Sequence, residues 1–219
     1  MTRSEVCRRI EENGLVPIIR ASSPEIAIRA ADAISAGGIS VLEITMTVPD
    51  AVSVIRSLVK KFGARVVVGA GTVLDAETVR ACVDAGAAFI VSPGFDPATV
   101  QAAHACDVPV MPGALTPTEV ITAWKAGADM VKVFPCSAVG GAKYLRALRG
   151  PLPGVKFMAT GGVNASTAAD YIAAGASALG VGAELVDPAL LEAGQDAVLT
   201  DRARELVAIV RGARAKSSR

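Results

Sequence analysis

The sequence has one histidine, His104, in 219 residues. That excludes a metal site built on paired histidines and argues against a Ser-His-Asp triad, leaving acid–base work to carboxylates, lysine or tyrosine. The four cysteines, Cys7, Cys82, Cys106 and Cys136, contain no Cys-x-x-Cys pair. Scattered in this way they read as free thiols of a reducing compartment, not as a zinc site or a disulfide framework. No apolar run approaches the ~20 residues of a membrane helix, and residues 1–13 are too charged for a secretory signal. A net charge of +1 leaves no excess to attract nucleic acid. The expectation is a cytoplasmic protein without metal, membrane or nucleic-acid partners. Aromatic residues are scarce at 4% while hydrophobic residues make up 52%, so the core is to be built from Ala, Val, Ile and Leu.

What is abundant is an alternation. Residues 1–13 suggest an N-terminal helix with Val6 and Ile10 on one face. Apolar strand candidates follow at Leu15–Arg20, Ser40–Met46, Arg65–Thr72, Ala88–Gly94, Val108–Ala114, Asp129–Pro135, Val155–Gly162 and Ala178–Leu185, starting 20 to 26 residues apart. Helical segments between them open on Ser23-Pro24, Pro49-Asp50, Asp75, Asp96-Pro97, Thr116-Pro117 and Asn164 or Ser166. Four of them close on Ala-Gly pairs (Gly37-Gly38, Gly86, Gly127, Gly175), where a left-handed glycine turns the chain back toward the next strand. Eight regular βα units predict an α/β protein with a (β/α)8 TIM barrel in one domain, residues 1–219, with the N-terminal helix as an addition. The basic stretch 212–219 is expected to be a frayed tail.

Barrel enzymes work at the C-terminal ends of their strands. There the sequence gathers Arg20, Glu43, Gly69-Ala70-Gly71-Thr72, Ser92-Pro93-Gly94, Pro112-Gly113, Lys132, Thr160-Gly161-Gly162 and Gly180-Val181-Gly182. Lys132 lies in the apolar run Met130-Val131-Lys132-Val133-Phe134. Burial favours the neutral amine, which is a nucleophile suited to Schiff-base chemistry with a carbonyl. The alternative is a strand-end lysine that snorkels to water. Glu43 lies between Leu42 and Ile44, and strand alternation puts it on one side with Val41 and Thr45. If both side chains point inward, they supply a nucleophile and a proton shuttle, or else a buried structural pair. Arg20 could meet a carboxylate or phosphate, or stay solvated. The glycine loops after the last two strands could cradle phosphate through backbone N–H groups. Cys136, Trp124 and Tyr144 read as packing. Lys125 and Lys143 fall in helices, and Lys156 falls at the wrong end of its strand.

Leu42-Glu43-Ile44-Thr45, Gly69-Ala70-Gly71-Thr72-Val73, Ile90-Val91-Ser92-Pro93-Gly94, Met111-Pro112-Gly113, Val131-Lys132-Val133-Phe134-Pro135 and Thr160-Gly161-Gly162-Val163 together resemble the 2-keto-3-deoxy-6-phosphogluconate (KDPG) / 4-hydroxy-2-oxoglutarate aldolases. The resemblance runs in order from Leu15 to Leu185. It implies a class I aldolase, trimeric, free of metal and cofactor, cleaving KDPG to pyruvate and glyceraldehyde 3-phosphate. It implies Lys132 as imine former and Glu43 as proton carrier. It implies Arg20, Thr72, Pro112, Phe134 and Thr160 around the pyruvate, and Gly161, Gly162, Gly182 and Ala183 by the phosphate. Thr47 stands where some members have arginine, and Ala183 where many have serine; both bear on substrate range. Competing expectations are the same chemistry on the galactonate epimer or on 4-hydroxy-2-oxoglutarate, a phosphate-binding isomerase with Glu43 as base, and a natural or engineered barrel serving as a non-catalytic assembly subunit.

Overall fold

The computed structural model describes residues 1–217. Its strands are β1 (Leu15–Ile19), β2 (Val41–Thr45), β3 (Val67–Gly71), β4 (Ile90–Val91), β5 (Val110–Met111), β6 (Gly113–Ala114), β7 (Val131–Val133), β8 (Phe157–Thr160) and β9 (Ala178–Val181). All pair in parallel, in the order β5-β4-β3-β2-β1-β9-β8-β7-β6. The two ends of that order are halves of one expected strand, parted at Pro112. Proline has no N–H to give to a ladder, but its carbonyl accepts from Lys132 N at 2.9 Å. The eight expected strands thus form a TIM-like barrel whose fifth member is broken in two.

The helices are α1 (Arg3–Asn13), α2 (Pro24–Ala36), α3 (Ala51–Phe62), α4 (Ala76–Asp84), α5 (Pro97–Ala105), α6 (Pro117–Lys125), α7 (Ala142–Arg149), α8 (Ala168–Ala173), α9 (Pro188–Glu192) and α10 (Asp196–Ser217). Ser23, Asp75, Asp96 and Thr116 cap their helices through side-chain oxygens, as expected. Asp50 departs from expectation: it is left-handed (φ 50°) and makes no side-chain cap. Asn164 accepts from Ser166 N and Thr167 N in a turn, and α8 starts only after it. Gly38, Gly86, Gly127 and Gly175 adopt the left-handed conformation expected of them.

Strand alternation sorts the core into two layers. Outward residues such as Leu15, Leu42, Ile44, Val68, Ile90, Val131, Val133, Phe157 and Leu179 pack against the helices. Inward residues Val16, Val41, Val67, Phe89, Val91, Met111, Met130, Met158 and Ala178 fill the lower barrel, and α1 covers them with Val6 and Ile10. Arg3 holds α1 in place by a two-pronged contact to Asp129 (2.7 and 2.9 Å), whose carboxylate also accepts from Val110 N at 2.9 Å. The stretch expected to fray is instead helical as far as Ser217. Ala213 is buried there, and Arg214 donates to Glu12 O (2.8 Å) and Ser177 O (3.0 Å). Residues 218–219 of that stretch lie outside the described residues. Among the described residues no helix is long and apolar enough to cross a membrane.

Candidate functional site

β7 places the lysine. Val131 and Val133 face the outer layer, so Lys132 faces inward, between Met130 below and Phe134 above. The residue is only 3% exposed, and its ammonium group forms no ion pair or hydrogen bond among the described residues. Burial pushes the Lys132 pKa down, Glu43 pulls it back up, and the charge of Arg20 adds to the lowering. The Phe134 ring centroid is 5.1 Å from Nζ.

β2 places the carboxylate by the same alternation. Glu43 is fully buried on the inward side, with Leu42 and Ile44 in the outer layer. Burial pushes its pKa up, while Lys132 and Arg20 draw it down. Neither carboxylate oxygen has a hydrogen-bond partner among the described residues. Leaving a buried polar group unpaired costs about 1–3 kcal/mol, so such groups inside an otherwise well-satisfied protein point to a ligand or a reaction. Thr160 Oγ1 is a further buried group without a partner there. Thr45 is occupied, its hydroxyl reaching Ile19 O (3.0 Å) and Thr47 Oγ1 (2.7 Å).

Above these groups a cleft of about 210 Å³ opens at the C-terminal mouth, walled by Arg20, Phe134, Thr160, Gly161, Gly162, Gly182 and Ala183, together with Ile18, Val163, Gly180 and Glu184. Seven of the expected site residues therefore share one wall-to-wall cavity. Lys132 and Glu43 lie deeper in the barrel. Pro112 stands in the broken strand, outside the cleft walls. Thr72 also lies outside them, at the end of β3, with φ 59°. A β-branched residue rarely adopts that conformation, which costs of order 1–3 kcal/mol. The β8 loop is held by Tyr171, which donates to Gly161 O (3.1 Å), and by Thr167, which donates to Gly162 O (2.8 Å).

A neighbouring cleft of about 260 Å³ shares Phe134 but is lined by no lysine or cysteine; its carboxylate, Glu119, is engaged in capping α6. Cys136 is buried, and burial pushes its thiol up. Lys156 pairs with Glu11 at 2.6 Å, far from the mouth. No group of metal-ligating side chains occurs among the described residues. Sequence reasoning missed Glu184 and Tyr171, which carry no local signal. It named Gly71 within a strand-end motif but gave it no role, though a signal existed: glycines at 69 and 71 occupy alternate, same-facing positions of one strand, a mark of close approach.

A parallel barrel with a buried lysine and carboxylate beneath a polar mouth has the build of a carbonyl-processing barrel enzyme. The family model for KDPG and KHG aldolase matches residues 6–201. KHG/KDPG aldolase of Escherichia coli is 38% identical over 194 residues, 88% of this chain and 90% of that protein. The 2-dehydro-3-deoxy-phosphogluconate aldolase of Pseudomonas aeruginosa is 36% identical over 168 residues, covering 77% and 74% of the two chains. KDPG aldolase from Legionella pneumophila, solved with pyruvate captured as a covalent carbinolamine intermediate, superposes with a TM-score of 0.85 at 29% identity, covering 91% of this chain and 97% of that one. The chain belongs to the KDPG and KHG aldolase family.

Proposed function

We propose that this chain is a class I aldolase that cleaves KDPG to pyruvate and glyceraldehyde 3-phosphate through an imine on Lys132. The observation that carries the reading is the inward, nearly fully buried Lys132, whose pKa is pushed down beneath a cleft at the barrel mouth. Burial makes the neutral amine accessible. Its lone pair adds to the C2 ketone, and loss of water gives a protonated imine. That cation accepts the electron pair of the C3–C4 bond as the C4 hydroxyl gives up its proton, releasing the aldehyde and leaving an enamine. Glu43, acting through a water, takes the proton of the C4 hydroxyl. Protonation at C3 and hydrolysis then free pyruvate and restore Lys132. Thr160 and Arg20 serve the substrate carboxylate, with Thr72, Pro112 and Phe134 shaping the pyruvate pocket. Gly161, Gly162, Gly182 and Ala183 border the phosphate. The reading carries with it a homotrimer working on small 2-keto acids in the cytoplasm, with no cofactor.

One observation favours a second substrate. Ala183 brings no hydroxyl to the outer cleft, and Glu184 brings a carboxylate. Both weaken a hold on a phosphate dianion, and neither hinders the unphosphorylated 4-hydroxy-2-oxoglutarate. Pyruvate release measured on KDPG, its galactonate epimer and 4-hydroxy-2-oxoglutarate decides between them. The expected result is the highest kcat/KM on KDPG; a higher value on another of the three moves the assignment to that substrate. Absence of pyruvate from all three defeats the aldolase reading.

A further inference from the structure

β3 presents two bare positions to the barrel interior. A Cβ on Gly69 would lie 2.4 Å from the Phe89 ring, so that gap is filled by an apolar side chain. A Cβ on Gly71 would lie 1.8 Å from Glu43 Oε1, 2.3 Å from Cδ and 2.6 Å from Cγ. Gly71 is not among the residues with positive φ, so its backbone would accept alanine. What it will not accept is the volume. The glycine is required by the Glu43 carboxylate, which reaches over it diagonally from the neighbouring strand, not by the chain's own conformation.

The Glu43 oxygens accept no hydrogen bond among the described residues, and of its two register partners in the flanking strands, Ile18 and Gly69, the one toward β3 has no side chain. We propose that Gly71 is a positioning residue for the reaction: its missing side chain is the seat of the Glu43 carboxylate, and it sets how that group meets the substrate. The inference rests on the aldolase reading above and deepens it. A carboxylate in a seat of this size keeps its reach toward the mouth of the barrel. Pushed out of it by a methyl group, it must turn within a closed interior, away from the line of proton transfer. A misplacement of about 1 Å at a reacting group can cost on the order of 10²-fold in rate.

The test is a set of variants assayed beside the unaltered protein. Gly71→Ala is expected to lower kcat by roughly 10²–10⁴-fold, the range for losing positioned acid–base catalysis. Glu43→Asp shortens the side chain by one methylene and withdraws it from the new methyl group. Gly71→Ala/Glu43→Asp is therefore expected to recover about tenfold or more over Gly71→Ala, the coupling seen for side chains in contact. In a Glu43→Gln background, Gly71→Ala is expected to cost nothing further. If Gly71→Ala alone fails to fold, a folded and active Gly71→Ala/Glu43→Asp variant still upholds the inference. Near-normal kcat in Gly71→Ala overturns it. So does a double variant no better than Gly71→Ala, or an additive loss in the Glu43→Gln background. Lack of turnover by the unaltered protein would instead defeat the aldolase reading, so the two failures are distinct.

Discussion

At the scale of the residue, the candidate site holds two buried ionisable groups whose pKa values move toward each other. Burial pushes Lys132 down and Glu43 up. Each charge also supports the other's charged form, against the effect of burial. Glu43→Gln is expected to lower kcat by roughly 10²–10⁴-fold. It also removes the charge that raises the Lys132 pKa, so the midpoint for imine formation should move to lower pH. The pH dependence of cyanoborohydride trapping with pyruvate checks this; a midpoint moved upward would contradict it. Both residues were legible in the sequence for one reason: a charged side chain in an otherwise apolar strand needs a partner or a task. Gly71 was less legible, because its meaning depends on which side chain of the neighbouring strand reaches over it, and a single strand does not say.

At the scale of the element, the order of strands and helices followed from periodicity, while their ends did not. The fifth strand breaks at Pro112 because a proline cannot donate to the ladder, and apolar patterning alone does not register that break. α10 runs on past Arg211 because Val210 and Ala213 are buried and Arg214 finds carbonyls on two other segments. Those are tertiary contacts that a basic, low-hydrophobicity stretch does not advertise. α1 was read correctly as a helix, and its job of closing the barrel floor emerges only from packing. Ile10→Ala there should cost about 2–5 kcal/mol of stability, as a buried large-to-small change does. Denaturant unfolding would show it, with kcat per folded molecule unchanged. A large loss of kcat would mean that the floor and the mouth are coupled.

At the scale of the whole molecule, the barrel bears the burden of its site. The Lys132 pKa is lowered in the folded state, so the folded protein binds fewer protons than the unfolded one between that value and ~10.4. Its cost is therefore fully present below the folded pKa and relieved as pH rises through that window. For Glu43, raised above its ordinary ~4.3, the sign is opposite: the cost is present above the folded pKa and relieved as pH falls. At a pH where both groups are charged, both costs are present. Replacing the pair by apolar groups, Lys132→Met with Glu43→Leu, should then stabilise the fold by roughly 1–4 kcal/mol while abolishing turnover. A lower melting temperature at neutral pH would show that the pair instead holds the barrel together. The assembly is open to the same kind of check: light scattering after size exclusion should give the mass of three chains. An imine on Lys132 has a more direct test. The protein is incubated with pyruvate, reduced with borohydride, digested and mapped by mass. The expected result is one modified residue, Lys132, heavier by pyruvic acid less one oxygen, and no such adduct in Lys132→Met. A folded protein that stays unmodified in excess pyruvate, or is modified at another lysine, would contradict it.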